Sequence, residues 1–501
     1  MPDSFYMGID LGTSSIRAVV FDVQGKPVLS RQEEFPMMTE LESHAEIDPE
    51  SIYRHFISVV RSCMLQLSGN MKVRAIGFST QMHSLMLTDE KGKPLTRVMT
   101  WADNRAYQQA ESIKKNYDSL SLYKRTGCIV QHPLYPLSKI LWFKEQKPEL
   151  FKQAACFLTV KSYLLYRLYG SYVIDYTDAS ASGLFNLHTF TWDEEIISQI
   201  LGLSADRFPR PVPCDYLLSG ISSSLAEEMC LDPDTPMTAG SGDGILANLG
   251  CGIFDASAMS STVGTSGAVR TTVSSPLLDD QQRTWCYCLS KDRWVAGGAI
   301  NNGGIVLRWL RDQFKETFQK DVEEQGCYNI YALFDQYAAS IPAGSDQLTF
   351  LPLLTGERSP NWNALTRGVL YGLDLRHSRQ HIVKAAMEGI MYQMFAVYQA
   401  LFSINTQTRQ IRASGGYARS DVWLQIQADI FGQPIAVSNV NEASALGAAY
   451  LSMLAVGAVS RFDEGLPEMT VTRHFEPDEH HREIYRNGYK RYADIYNRLY
   501  R

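Results

Sequence analysis

The chain opens on a strand–turn–strand pattern whose turn carries most of its polar groups. Residues 7–22 read MGIDLGTSSIRAVVFD, so two apolar runs flank Gly12 and a row of hydroxyl residues. This alternation predicts a β-hairpin. Glycine lets the main chain approach a ligand closely, and a concave row of amide and hydroxyl donors suits phosphate oxygens. On these residues alone, an ordinary hairpin whose Gly, Ser and Thr only make the turn remains an equal alternative.

The same pattern returns half a chain later. Residues 262–272 read TVGTSGAVRTT, in which Gly264, Thr265 and Arg270 approximately repeat the first turn. A repeat over so long a distance indicates duplication of a domain and not a solenoid. Two glycine–hydroxyl turns, one opening each half, therefore predict two related domains that face one nucleotide.

Length and element order set the fold class. A chain of 501 residues is too long for one compact core, so two or more domains are expected. Apolar strand patterns alternate with helical ones along the whole chain, which predicts an α/β architecture with sheets covered on both faces. We place the division after residue 248, giving domains 1–248 and 249–501.

Composition excludes several classes of protein. The net charge of −7 argues against a nucleic-acid binder. The nine cysteines are scattered without metal-ligand spacing, which predicts neither a disulfide framework nor a zinc cluster and fits a reducing cytoplasm. The first residues include Asp3 and show no basic stretch followed by an apolar one, so we expect no secretory leader. The weakly polar run 445–459 is shorter than the ~20 residues of a membrane span. We expect that run to be a buried helix, and a small molecule to be the partner; a homodimer is left open.

An aspartate between two glycines is the strongest candidate for acid–base chemistry. Residues 236–248 read PMTAGSGDGILAN, which predicts a strand, the sequence Gly242–Asp243–Gly244 and a helix start. Phosphoryl transfer needs positioning, a metal and a group that accepts the hydroxyl proton. Asp10 and Asp243 are candidates for metal anchor and base. The alternatives are a helix N-cap at Asp243 and, because GDGILA fits GxGxxA, a dinucleotide enzyme.

Two further stretches concentrate polar groups suited to a polyol. Gln81, Met82 and His83 follow the predicted strand 72–79, and Trp101–Ala–Asp–Asn–Arg105 forms a loop. The aromatic, acid, amide and guanidinium groups of this loop fit a sugar better than a core. The alternatives are a hydrogen-bonded core histidine at residue 83 and a surface loop with an Asp–Arg pair.

Taken together and in order, these motifs resemble the FGGY family of carbohydrate kinases across essentially the full length. Individually each motif is weak, but their combination is specific. The matching stretches are residues 10–17 and 264–267 (phosphate turns), 134–142 and 368–388 (the two family motifs), and 414–420 (adenosine turn).

The resemblance implies two ribonuclease-H-like domains of the actin and Hsp70 ATPase type flanking a central cleft. The sugar would bind mainly to the first domain, and ATP mainly to the second. By the same resemblance Asp243 is the catalytic base and Asp10 the Mg²⁺-associated residue. The implied substrate residues are Gln81, Met82, His83, Trp101, Asp103, Arg105 and Asp243. The implied ATP residues are Thr13, Ser14, Ser15, Arg17, Gly264, Thr265, Gly304, Arg308, Gly415, Gly416 and Ser420.

Substrate choice is inferred from departures within the family. Glycerol kinases carry Gln-Arg-Glu where this chain has Gln81–Met82–His83, which resembles xylulokinases and gluconokinases. They also have asparagine in place of Ser420 and glutamine in place of Arg308. The loop 101–105 and residues 301–309 look more like gluconokinases, and Arg105 or His83 would meet a carboxylate.

We therefore expect D-gluconate to be converted to 6-phospho-D-gluconate, with D-xylulose as the alternative. Alternatives from other classes are an actin-like ATPase switch without sugar chemistry and a catalytically silent sugar sensor.

Overall fold

The structure is a computed structural model that describes residues 4–39, 43–67, 71–438 and 440–501. The strands are β1 (Ser4–Leu11), β2 (Ser15–Phe21), β3 (Pro27–Glu34), β4 (Glu46–Ile47), β5 (Lys72–Thr80), β6 (Met86–Thr88), β7 (Val98–Met99), β8 (Cys156–Leu158), β9 (Val173–Asp175), β10 (Phe185–Asn186), β11 (Thr191–Trp192), β12 (Arg210–Val212), β13 (Leu217–Leu218), β14 (Met237–Thr238), β15 (Ser241–Gly242), β16 (Ala258–Val263), β17 (Gly267–Val273), β18 (Trp285–Ser290), β19 (Arg293–Ile300), β20 (Thr349–Leu351), β21 (Val369–Tyr371), β22 (Gln410–Ser414), β23 (Ile435–Ser438) and β24 (Val471–Phe475).

The helices are α1 (Pro49–Met64), α2 (Tyr107–Asn116), α3 (Ser119–Thr126), α4 (Pro136–Gln146), α5 (Pro148–Gln153), α6 (Val160–Tyr169), α7 (Tyr176–Ser180), α8 (Glu194–Ile196), α9 (Ser223–Met229), α10 (Asp243–Gly250), α11 (Gly304–Gln313), α12 (Lys315–Gln325), α13 (Ile330–Ser340), α14 (Arg379–Ile404), α15 (Asp421–Phe431), α16 (Ala443–Ala455) and α17 (Glu479–Tyr500). None of the helices in these described ranges is both long and apolar enough to cross a bilayer.

The chain packs as two compact units, and each is assembled from separate stretches. The first unit runs to Phe254 and adds Thr272–Ala296 and Glu442–Thr470. The second comprises Asp255–Thr271, Gly297–Asn441 and Val471–Arg501. The division proposed after residue 248 cuts the chain once and stays a prediction. Each packed unit, in contrast, combines three segments that are separated in the chain.

The first unit is built on the sheet β13-β14-β5-β1-β2-β3, with β15 also paired to β5. The predicted opening hairpin is confirmed, because β1 and β2 pair antiparallel with Asp10 opposite Arg17. Strand β5 runs parallel to β1 and places Ser79 opposite Asp10. Since parallel strands end at the same sheet edge, the polar residues after β1 and β5 are brought together there.

Helix α16 covers this sheet at unusually close range, through glycines. A Cβ atom on Gly8 would lie 1.9 Å from the carbonyl oxygen of Ala445, and one on Gly77 would lie 1.8 Å from that of Ala448. Helices α10 and α16 meet in the same way, where Gly447 abuts the Leu246 carbonyl. The expectation that run 445–459 contains a buried helix packed on a sheet is thus confirmed.

The second unit repeats the core topology of the first. Its hairpin β16–β17 is antiparallel, β22 runs parallel to β16, and β23 and β24 extend the sheet beyond β22. The second predicted glycine–hydroxyl turn lies between β16 and β17. A hairpin followed by a parallel neighbour occurs in both units, as the duplication inferred from the two turns requires.

Candidate functional site

Two carboxylates stand at the ends of neighbouring strands in the first unit. Asp10 lies near the end of β1, and its Oδ1 accepts a hydrogen bond of 2.7 Å from Ser79 Oγ. Asp243 is the first residue of α10, directly after β15, and its Oδ1 accepts from the amide of Gly244 at 2.6 Å. Gly242, and not Asp243, occupies the N-cap position, so the alternative of a simple capping role for Asp243 is wrong.

The Asp10 carboxyl lies among groups that carry more negative than positive charge. Burial raises the pKa of its carboxyl to about 7, and the charge of Asp243 acts in the same direction. The bond from Ser79 and the charge of Arg17 lower the pKa, whereas the charge of Glu442 raises it further. Arg17 itself pairs with Glu442 and Gln32. Excess negative charge of this kind would be relieved by a divalent cation.

Asp10 fits a magnesium ion that is held mostly by phosphates and water. No cluster of three or more His, Cys, Asp or Glu side chains with metal-binding geometry occurs within the described ranges. Mg²⁺ commonly uses one or two carboxylates together with substrate phosphates and retained water. Asp10 offers such a carboxylate, and the hydroxyl-rich turn 12–15 follows it directly.

Asp10→Asn should raise the melting temperature of the ligand-free, EDTA-treated protein at pH 8. The folded-state pKa lies above the unfolded value, so the stability due to this group is lost as pH rises from about 4 to 7. The gain should be a few degrees at pH 8, at about 2–4 °C per kcal/mol, and should shrink at pH 5. Thermal melts at both pH values check this, with Asp234→Asn as a surface control. An equal shift at both pH values would contradict it.

The two predicted sugar loops are both hydrogen-bonded to the first phosphate turn. Gln81 donates through Nε2 to the Gly12 carbonyl at 3.2 Å. Trp101 donates through Nε1 to Thr13 Oγ1 at 2.9 Å. The candidate sugar residues and candidate phosphate residues of this unit therefore form one continuous site, which sequence spacing alone does not show.

His83 is held in a left-handed backbone conformation, with φ of 65°. Its Nε2 lies 3.0 Å from Tyr287 Oη, which is in turn 3.2 Å from Tyr135 Oη. Its carbonyl accepts a hydrogen bond of 2.8 Å from the buried ammonium of Lys139. Lys139 also donates to the Thr100 carbonyl at 2.7 Å, so one side chain links the end of the stretch 81–83 to the residue that precedes the loop 101–105. Burial lowers the pKa of Lys139 to about 7.

Arg105 is engaged by two carboxylates of its own unit. It pairs with fully buried Asp103 and with Glu46, each at 2.6 Å. Asp103 Oδ2 also accepts from the Ala45 amide at 2.9 Å. The Asp–Arg pair that was one alternative for this loop is present, but it is buried within the first unit rather than solvated. Met82 packs against Gly242, where an added Cβ would lie 2.4 Å from its side chain.

The second unit contains a cavity of about 500 Å³ that collects most of the predicted nucleotide residues. Among the wall residues, the predicted ones are Gly264, Thr265, Gly304, Arg308, Gly416 and Ser420. Aromatic side chains, including Tyr328 and Tyr331, form another part of the wall. Glycine turns, cations and aromatic rings in one cavity suit a nucleotide, whose phosphates and base need these different partners.

Glycine is required where these turns meet. The Gly304 amide donates to the Gly264 carbonyl at 2.7 Å, and a Cβ at residue 304 would lie 2.7 Å from that same oxygen. Gly415, with φ of 93°, allows the neighbouring turn to approach Val263. Ser420 caps α15 through Trp423 and donates to Asp335 at 2.6 Å. Thr13, Ser14, Ser15 and Arg17 lie in the first unit, outside this cavity.

Several residues of the candidate site were not predicted from the sequence. Lys139 and Tyr135 lie inside the motif 134–142, but nothing in their spacing reveals contact with the His83 loop. Asp335 comes from a helix without any glycine signature. Glu442, at the start of α16, pairs with Arg17 from the other end of the chain. These partners come from distant parts of the chain, so only the fold identifies them.

Comparison with known proteins decides the family. Residues 5–250 match the N-terminal domain, and residues 259–456 the C-terminal domain, of the FGGY family of carbohydrate kinases. The chain belongs to the FGGY family of carbohydrate kinases. This FGGY kinase therefore has the two-domain fold of the actin and Hsp70 ATPase type and is a phosphotransferase. Members of the family use ATP as phosphate donor.

The named relatives of this FGGY kinase include gluconokinases, xylulose kinases and glycerol kinases. It is 39% identical to a gluconokinase of Bacillus subtilis (strain 168), covering 92% of this chain and 89% of that protein. The crystal structure of gluconate kinase from Lactobacillus acidophilus matches with a TM-score of 0.92 and 31% identity, over 99% and 98% of the two chains. A ligand-bound xylulose kinase structure from the same organism has the same TM-score and coverage, at 32% identity.

Proposed function

We propose that this FGGY kinase transfers the γ-phosphate of ATP to the terminal hydroxyl of D-gluconate, giving 6-phospho-D-gluconate. The observation that carries this choice is the 39% identity with a gluconokinase over nearly the whole chain. The loop 101–105 is hydrogen-bonded to the first phosphate turn through Trp101 and carries the cation Arg105, which supports an acidic sugar as substrate.

Asp243 is the proposed general base. It follows a strand end, and its Oδ1 orientation is fixed by the Gly244 amide. The new O–P bond forms as the bond between the γ-phosphorus and the β–γ bridging oxygen of ATP breaks and ADP leaves, and the substrate hydroxyl passes its proton to this carboxylate. Asp10 shares its electrostatic environment and is the proposed anchor for Mg²⁺. When bound, Mg²⁺ would neutralise charge on the transferring phosphate.

The sugar acid would lie along the loops that Lys139 fixes. Gln81, His83, Trp101 and Asp103 offer the polar and aromatic surface, and the buried Gln81 Oε1 accepts no hydrogen bond from the described part of the chain. A substrate hydroxyl would satisfy it. Arg105, although paired, remains with His83 a proposed cationic neighbour of the carboxylate. Phosphates and base of ATP would be held by the glycine turns and rings of the second unit.

An ATP-coupled assay over D-gluconate, D-xylulose, L-ribulose, glycerol and L-fuculose tests the proposal. We expect the highest kcat/KM with gluconate. Activity on xylulose but not gluconate would overturn the substrate and leave the kinase chemistry in place. Xylulose is the second candidate because a xylulose kinase structure matches the fold as well as a gluconate kinase structure does.

A further inference from the structure

A buried carboxylate that the proposed mechanism does not use lies beside Asp243. Asp178 belongs to α7, and the residue before it, Thr177, bonds to Ser241 Oγ at 2.7 Å. An added Cβ on Gly242 would lie 3.3 Å from Thr177. Helix α7 therefore packs against the strand that ends at Asp243. The charge of Asp243 also contributes to raising the pKa of Asp178.

The buried charged groups around Asp178 carry more negative than positive charge. Lys161 lies 2.7 Å from Asp175 and 3.5 Å from Asp178, and all three side chains are buried. Asp175 is further satisfied by the amides of Thr177 and Asp178, each at 3.1 Å. The single ammonium of Lys161 thus faces two carboxylates, and it lies closer to Asp175 than to Asp178.

Asp178 is less well satisfied than Asp175. It is 3% exposed, and its hydrogen-bonding partner Lys161, 3.5 Å from its Oδ2, is shared with Asp175. Burial is the main cause of its raised pKa, and the Lys161 charge only partly offsets it. A buried carboxylate in this state costs free energy that a ligand carrying hydroxyl donors would recover.

We infer that Asp178 is a sugar-binding residue that accepts a hydrogen bond from a substrate hydroxyl other than the one phosphorylated. The inference rests on the proposed function, because it needs a polyol next to Asp243. A polyol supplies several hydroxyl donors, which can fill the acceptor positions of the Asp178 carboxylate that the shared Lys161 leaves open. The same negative charge disfavours a substrate carboxylate at this end, and so directs the acid group of gluconate away from Asp243.

Asp178→Asn, tested with gluconate and its 2-, 3-, 4- and 5-deoxy analogues, examines this assignment. Asparagine keeps the shape and removes an uncompensated charge, so the variant should fold with an undiminished melting temperature. We expect kcat/KM for gluconate to fall about 10- to 100-fold, the usual range for a lost hydrogen bond to a charged group. With one deoxy analogue the variant and the wild type should be nearly equal. Asp234→Asn, on the surface, should match the wild type throughout.

The outcomes separate the possible roles. A loss confined to analogues that retain one particular hydroxyl supports the assignment. An equal loss on every analogue, or no loss, overturns it. If Asp178→Asn fails to fold, Asp178→Ser with the same analogues gives the same comparison. If the wild-type protein phosphorylates none of the five compounds of the coupled assay, the proposed function is overturned instead. If it phosphorylates xylulose and not gluconate, the same comparison of variant and wild type is made with deoxyxyluloses.

Discussion

Asp243→Asn should lower kcat by about 10²-fold or more, the range expected when a general base is removed. Asparagine can still accept the hydrogen bond from the Gly244 amide, so the local geometry of α10 is preserved. It cannot take up the hydroxyl proton. Sugar binding should be nearly unchanged, because the sugar loops are fixed by Lys139 and by the first phosphate turn and not by Asp243.

Coupled-assay kinetics and calorimetric titration of the sugar together check this expectation. Asp234→Asn is the control for the same chemical change on the surface. Near-normal turnover in Asp243→Asn would remove this residue from the role of base. A parallel loss of sugar affinity and melting temperature would instead indicate a structural role.

Gly77→Ala should destabilise the first unit by at least the roughly 3 kcal/mol that marks the upper end of usual overpacking costs. The new methyl group would lie 1.8 Å from the Ala448 carbonyl oxygen and 2.2 Å from its carbonyl carbon. Both are main-chain atoms of α16, so no side-chain rotation relieves the clash. Strand and helix must separate, and the packed face between them opens.

Thermal and chemical unfolding measure this loss, at about 2–4 °C per kcal/mol for units of this size. Gly465→Ala is a matched control, because its nearest neighbour, a Phe254 ring carbon, lies at an ordinary 3.4 Å. Gly8→Ala, 1.9 Å from Ala445, should behave like Gly77→Ala. An unchanged melting temperature in Gly77→Ala would refute the close packing of α16 on the sheet.

Local patterns were enough to predict the elements that carry the site. The apolar runs around Gly12 and Gly264 predict both hairpins. Asp48 followed by Pro49 is a sequence pattern typical of a helix start, and α1 begins there with the Asp48 side chain accepting from the Glu50 amide. Strand 72–79 was also predicted, and it ends one residue later in the structure. These signals are short-range, because turn chemistry and side-chain alternation act within a few residues.

Contacts between segments that are distant in the chain could not be predicted from the sequence. Arg105 was expected to face a substrate carboxylate, and the structure also pairs it with Asp103 and Glu46. Glu388 is a charged residue within the long, mostly apolar helix α14, and its carboxylate accepts hydrogen bonds from the Gly344 amide and from Ser345. In both cases the sequence shows the sign of the residue's charge, whereas its hydrogen-bonding partner is determined by tertiary packing.

The position of α16 in the chain has a consequence for biosynthesis. This helix covers the sheet of the first unit, yet it is translated only after residues 297–441, which belong to the second unit. The glycine-lined face of β1 and β5 must therefore stay uncovered on the ribosome until nearly nine-tenths of the chain has been made. Contacts this distant in sequence form slowly and leave apolar surface open to aggregation. A nascent chain that stalls before residue 455 cannot complete the helix that covers this sheet.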